Sequence, residues 1–244
     1  MNTEIAGFFK VTAKSESDTP IDRTKPMPAP ELAFPQGANF VKLPEPELLP
    51  DLPVNFLEMV EMRSSIRSYS GKKLTLKDLS LLLWCTQGVK MPAPNNASRR
   101  TVPSAGARHA FETYLVVNRV EGLEPGVYRY LAFEHLLLPM DFDDAAREKL
   151  LAAFPGRKMV ENSAVTFIWG AQMERLTAYA GARGYRYAFL DAGHVCQNLY
   201  LAAEAIHAGV CAIGSFYDEK INECFSFDGV ERFVIYAATV GFPS

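Results

Sequence analysis

One run of the chain, Gly184 to Ala208 (GYRYAFLDAGHVCQNLYLAAEAIHA), is apolar or small at almost every position while keeping helical spacing. A helix written this way has no broad polar face to offer water. It therefore predicts a long buried helix at the centre of the fold, with the other elements packed around it. In that setting His194, Gln197 and Asn198 are expected to satisfy neighbouring backbone groups. Gly209 ends the run, in keeping with glycine just beyond a helix terminus.

The elements around it can be read in turn. Asn55 to Met62 is a short helical segment. Thr75 with Asp78 three residues on forms a capping pair that opens LSLLLWCTQG, and Gly88 closes it. Residues 90–103 read as a loop. Ala110–Val120, Gly126–Tyr130 and EHLLLPM read as a strand meander, with turns at Glu124-Pro125-Gly126 and Phe133-Glu134. Asp141–Phe154 has helical spacing, SAVTFIWG is a buried strand, VCAIG a short strand, DEKINECF a helix, and RFVIYAATVG the last strand. Strands and helices intermixed with meanders and long crossovers place the chain in the α+β class.

Residues 1–53 have another texture. Prolines at 20, 26, 28, 30, 35, 44, 46, 50 and 53 predict an extended arm with no helix of any length. Leu32, Phe34, Phe40, Val41, Leu43, Leu48 and Leu49 give that arm apolar side chains to pack on the core or on a partner subunit. The division expected is therefore an arm over residues 1–53 and one domain over residues 54–244.

With 48% apolar and 22% charged residues and a net charge of −3, the chain has no basic footprint for nucleic acid or a membrane surface. No apolar stretch reaches the roughly 18–20 residues that span a bilayer, and the N-terminus lacks the pattern of a secretory signal. A cytoplasmic protein is expected. Cys85, Cys196, Cys211 and Cys224 form no CxxC pair and read as buried thiols, with no metal site.

Two fragments carry chemistry. EMRSSIRSYS sets Arg63 and Arg67 around the hydroxyls of Ser64 and Ser65, a donor set suited to a phosphate. By composition alone it is equally a solvated turn. RTVPSAGARHAFETYLVV sets Pro103, Ser104, Ala105 and Gly106 before a β-branched run, where small residues let backbone approach a flat ligand. Gly214-Ser215, at the end of a strand, offers backbone N–H groups to such a ligand. There is no GxGxxG after a strand, no GxxxxGK[ST], no GxSxG and no HExxH.

RSSIRSY, LLWCTQG, RTVPSAGAR, GLEPGVYRY, RGYRYAFLDAGHVCQNLYLAA and AIGSFYD follow one another in register over about residues 60–243. In that order they resemble the FMN-dependent nitroreductase superfamily, and within it the SagB/ThcOx-type branch. The resemblance implies a three-layer α+β fold with a central, mainly antiparallel sheet wrapped by helices. It also implies a homodimer with FMN at the interface. Arg63, Ser64, Ser65 and Arg67 would hold the FMN phosphate and ribityl chain. Pro103, Ser104, Ala105 and Gly106 would line the ring, and backbone N–H groups of Gly214 and Ser215 would face its N5/O4 edge. Gln87 either joins them or caps its helix.

The azoline-oxidising members carry a Lys-Tyr pair where this chain has Tyr179 and Ala180. The expected activity is accordingly transfer of hydride from NAD(P)H through flavin to a small acceptor such as a nitroaromatic or quinone. A SagB-type dehydrogenase of a peptide or small amide, with Tyr179 or Tyr185 as proton acceptor, is the alternative. A non-catalytic flavin-binding protein is the second.

Overall fold

The computed structural model describes residues 3–14, 21, 26–46 and 55–244. Seven strands, among them β1 (Val41–Lys42), β5 (Gly126–Leu131), β6 (Leu136–Pro139) and β8 (Gly209–Ile213), form one sheet in the order β1-β6-β5-β4-β7-β9-β8, and every neighbouring pair is antiparallel. The central strands are β4 (Phe111–Val117), β7 (Val165–Gln172) and β9 (Arg232–Gly241). All residues of β4 and β7 are buried, as expected of strands covered on both faces. One face packs on α3 (Leu76–Gln87) and α7 (Gly184–Glu204), around Trp169, Phe167, Leu83 and Leu199. The other packs on α4 (Asp144–Ala152), α5 (Arg157–Asn162) and α8 (Asp218–Cys224), around Ile168, Tyr114, Leu150 and Ile221. The result is the three-layer α+β architecture expected from the sequence. Both sides of the Thr75/Asp78 capping box form, at 3.1 and 2.8 Å.

Three expectations need correction. The hairpin β2 (Val89–Ala93) and β3 (Ala97–Arg100) occupies the stretch read as a loop. Asn95 and Asn96 both take positive φ, 59° and 53°, the turn chemistry that joins two strands in a tight hairpin. The N-terminal segment does contain a helix, α1 (Thr3–Val11), because it precedes the first proline at position 20. Its C-terminal end is held by Arg183 and Arg186, which donate to Thr12 O and Thr12 Oγ1.

The third correction concerns α7, which is not buried all round. Ala188, Ala192, Val195 and Leu199 face the core, while Phe189, Leu190, Gly193, His194 and Gln197 form an exposed stripe. Of the three polar residues expected to satisfy backbone, Asn198 alone does so among the described residues, donating to Cys85 O at 2.9 Å.

The arm is anchored by side chains of the core. Arg175 donates to Ala29 O, Arg100 to Pro30 O, Arg129 to Leu32 O and Ala33 O, and Asn96 to Met27 O. Leu32 N donates to Glu112 and Ala132 N to Glu31. Further on, Val41–Lys42 forms β1 on the sheet edge. The expected boundary at 53/54 falls outside the described residues, as do Leu48 and Leu49.

Candidate functional site

After α2 (Phe56–Met62) the chain passes beside β8 (Gly209–Ile213). Ile66 N donates to Val210 O at 2.8 Å, and Ser65 bridges Val210 in parallel. The approach requires Gly209, since a Cβ there would lie 2.5 Å from Ile66. Tyr69 fixes the other end of the segment, donating to Ile66 O at 2.7 Å and sharing a hydrogen bond with Thr239 Oγ1 at 2.8 Å. Burial raises its phenol pKa, so it stays a neutral donor at any ordinary pH.

The Arg–Ser segment is thereby held rigidly while its functional groups face outward. Ser64, Ser65 and Arg67 are exposed and Arg63 half-buried. Ser65 Oγ lies 3.0 Å from Tyr200 Oη, which also accepts from Ala212 N at 2.9 Å. The Arg63 guanidinium sits 5.2 Å from the centre of the Tyr200 ring, within reach of a cation–π contact. Among the described residues no carboxylate forms an ion pair with Arg63 or Arg67. Gly214 and Ser215 emerge exposed from the end of β8.

The loop of Pro103 to Gly106 is anchored elsewhere. Ser104 Oγ donates to Asp191 Oδ2 at 2.6 Å, Ala105 N donates to Oδ1 at 3.2 Å, and His109 N donates back to Ser104 Oγ at 2.9 Å. Burial raises the Asp191 pKa, while the Ser104 and Ala105 donors oppose that shift. Gly106 has φ +61°, and a Cβ on it would lie 2.5 Å from the Tyr179 ring. The room that the glycine leaves is thus filled by Tyr179, whose ring lies 5.6 Å from the Arg108 guanidinium. Tyr185 is not part of this group; its hydroxyl donates to Val230 O at 3.3 Å, and burial raises its pKa.

Asp191 and Tyr200, the two anchors on α7, are nine residues apart. At 1.5 Å and 100° per residue they lie about 14 Å apart along the axis and about half a turn round it. The two fragments therefore dock on opposite flanks of the same helix, with the exposed stripe between them. Pro103 is exposed, Ser104, Ala105 and Gly106 are half-buried, and among the described residues no hydrogen bond joins any of them to residues 63–67.

Sequence reasoning missed both anchors. Asp191 was legible as a lone acid in an apolar helix, a group that must find donors. Tyr200 carried no such signal. Gln87 is structural: it is buried and its Oε1 accepts from Arg100 Nη1 at 3.0 Å. All four cysteines are free thiols, and burial pushes that of Cys196 up to about 12. Among the described residues no cluster of His, Cys, Asp and Glu is arranged to hold a metal, and no helix is long and apolar enough to cross a membrane.

The model of the family described as Nitroreductase matches residues 60–242. A Methanocaldococcus jannaschii protein that carries the name nitroreductase is 37% identical over 176 residues, which are 72% of this chain and 86% of that one. The trifolitoxin-processing protein TfxB of Rhizobium leguminosarum bv. trifolii is 34% identical over 125 residues, 50% of this chain; the match spans only 34% of TfxB. Three solved structures share the fold. A Ralstonia eutropha nitroreductase aligns with TM-score 0.69 at 22% identity, over 93% of this chain and 98% of that one. A chain of the E. coli microcin synthetase McbBCD complex with truncated pro-MccB17 bound aligns with TM-score 0.62 at 18% identity, over 97% and 86%. A Desulfovibrio desulfuricans nitroreductase in complex with FMN aligns with TM-score 0.54 at 17% identity, over 78% and 87%.

Proposed function

The chain belongs to the nitroreductase family, and from that premise we propose that it is an FMN-dependent oxidoreductase that takes hydride from NAD(P)H and delivers it to a small acceptor such as a nitroaromatic or quinone. Members of the family are flavin-dependent enzymes, and the likenesses to TfxB and the microcin synthetase chain fit its SagB-type branch. The observation that carries the reading is the rigid, outward-facing Arg–Ser segment with two guanidinium groups that no carboxylate neutralises among the described residues.

These residues fit the cofactor. FMN, when bound, supplies two-electron hydride chemistry that side chains lack. Arg63 and Arg67 offer forked cationic donors to its phosphate, with the Ser64 and Ser65 hydroxyls beside them. Pro103, Ser104, Ala105 and Gly106 would line the ring, held in place by Asp191. Gly214 and Ser215 would present backbone N–H groups to the ring edge, where negative charge is favoured by preorganised donors.

The two fragments sit on opposite flanks of α7, so one chain does not bring them round a single ligand. A homodimer would resolve this, the Arg–Ser segment of one protomer meeting the loop of its partner. The apolar stripe of α7, with Phe189 57% and Leu190 56% exposed, is a surface of the kind that a partner covers. Phe9 and, on α2, Phe56, Leu57 and Met62 are further exposed apolar groups.

The test is the visible spectrum of the purified protein, then the same cuvette with NADH or NADPH added without oxygen. Flavin bands that bleach are expected. A protein that stays colourless after FMN is added overturns the reading.

A second reading, dehydrogenation of a peptide or small amide, is favoured by the position of Tyr179. Its phenol ring lies against Gly106 in the loop assigned to the flavin, whereas the Tyr185 hydroxyl is committed to Val230 O. Tyr179→Phe distinguishes the two readings. It leaves reduction by NAD(P)H unchanged under both, but lowers turnover of an amide substrate under the second alone.

A further inference from the structure

The seven residues of α2 bury no side chain. Phe56, Leu57 and Val60 share one face of it, and all three are exposed. The nine-residue α1 has the same character, with Ile5, Phe8 and Phe9 exposed at helical spacing i, i+3 and i+4. None of these six side chains joins either layer of the core. Helices this short are marginal in water and owe their stability to a covered apolar face.

The two helices stand at opposite ends of the exposed stripe of α7. At the start of α7, Arg186 donates to Phe9 O at 3.4 Å and Thr12 Oγ1 at 2.9 Å, and its guanidinium sits 5.5 Å from the centre of the Phe9 ring. Near its end, Arg63 lies over the Tyr200 ring. Arg63 is the cap of α2, its N–H donating to Met59 O at 3.1 Å. Arg186 and Tyr200 are fourteen residues apart, about 21 Å along the helix. Gly193 lies midway, is exposed, and has nothing within 4 Å of the place a Cβ would take.

In the dimeric site, the loop held by Asp191, in the first half of α7, meets the partner's segment held at Tyr200, in the second half. A two-fold axis that brings these together runs the two α7 helices antiparallel. With the axis at Gly193, Arg186 of one protomer is level with Tyr200 of the partner subunit. The apolar face of α1 then falls against that of the partner's α2. Their charges are complementary as well. Lys10 and Lys14 are exposed at the end of α1, Glu58 and Glu61 are exposed on α2, and among the described residues none of the four forms an ion pair.

Resting on the dimeric reading of the cofactor site, we propose that α1 is a clasp for a second copy of this chain. Ile5, Phe8 and Phe9 of one protomer cover Phe56, Leu57 and Val60 of its partner, and Lys10 and Lys14 face Glu58 and Glu61. Because Arg63 caps α2, the clasp also steadies the partner's phosphate-binding segment. The arm of one subunit thereby supports the cofactor site that the other supplies.

The test is carbodiimide coupling of the full chain, mixed from ¹⁵N-labelled and unlabelled protein and read by mass spectrometry. An amide joining Lys10 or Lys14 to Glu58 or Glu61, between labelled and unlabelled chains, is expected. Phe8→Asp should raise the dimer dissociation constant in sedimentation at least tenfold, the weight of one buried aromatic side chain, and lower FMN retention with it. Lys10→Glu with Lys14→Glu should weaken the dimer about fivefold, and adding Glu58→Lys with Glu61→Lys should restore it. The clasp fails if these links are missing or join residues of one chain, or if Phe8→Asp leaves the dissociation constant unchanged. A dimer that keeps FMN through such a failure leaves the cofactor reading standing, whereas a monomer overturns both. A monomer that sediments with phosphatidylglycerol vesicles gives the face to a membrane and overturns the clasp.

Discussion

Two groups of arginines in this chain look alike in the sequence and do opposite work. Arg100, Arg129 and Arg175 are 6%, 7% and 4% exposed, and their donors go to arm carbonyls, to Gln87 and to Glu112. Arg63 and Arg67 lie at the surface, one over the Tyr200 ring and the other 3.4 Å from the Ser65 carbonyl. Of the three, Arg175 is ion-paired to Glu112, whereas Arg129 Nε has no partner among the described residues, and their bonds hold the arm and the core together. An exposed guanidinium beside fixed backbone, with no carboxylate paired to it among the described residues, keeps its fork for a ligand. What separates a structural arginine from a binding one is therefore where its donors already point.

The contrast can be broken at either end. Arg175→Ala leaves Glu112, 3% exposed, without its cation, and should cost about 3–5 kcal/mol of folding stability. Chemical denaturation within 1 kcal/mol of the unmodified protein would abolish the distinction. Arg67→Ala should do the reverse, weakening FMN binding by about 2–3 kcal/mol while leaving stability within about 0.5 kcal/mol. Flavin content after gel filtration and a thermal melt read the two effects separately.

A third and smaller effect sharpens the buried side. Glu31 in the arm has its pKa raised to about 8, first by burial and then by Glu112 and Glu134. The docked arm thus holds a proton that the free arm releases near the ordinary carboxylate value of 4.5. Docking is strongest below that value and weakens as the pH rises towards 8. Between pH 7 and 8 the loss should be about 1 kcal/mol, read as faster proteolysis of the arm. Glu31→Gln should flatten that slope, and a slope that persists would assign it to another group.

The sequence made the layers legible because periodicity reports burial. The alternation and β-branching of FETYLVV and SAVTFIWG survive any tertiary context that covers both faces. Position along the chain also revealed the Arg–Ser segment and the small loop. What remained hidden was their placement, because Asp191 and Tyr200 lie about half a turn apart around α7, and a sequence has no azimuth until a helix is docked. The hairpin at 89–100 was hidden for a local reason. Its strand residues include Lys90, Pro92, Ser98 and Arg99, which have little β-propensity, and two consecutive asparagines at positive φ set the pairing. The α1 helix was obscured by extending the texture of residues 20–53 to a proline-free start.

The two sheet edges share one further consequence. On one side Val41–Lys42 covers β6, and on the other the Ser65–Ile66 backbone lies along β8. Bare strand edges are templates for intermolecular pairing, the usual route to fibrils. The segment assigned to the phosphate is thus also a shield, and so is the arm. A lesion that loosens either would register first as insolubility during expression, before any change in turnover could be measured.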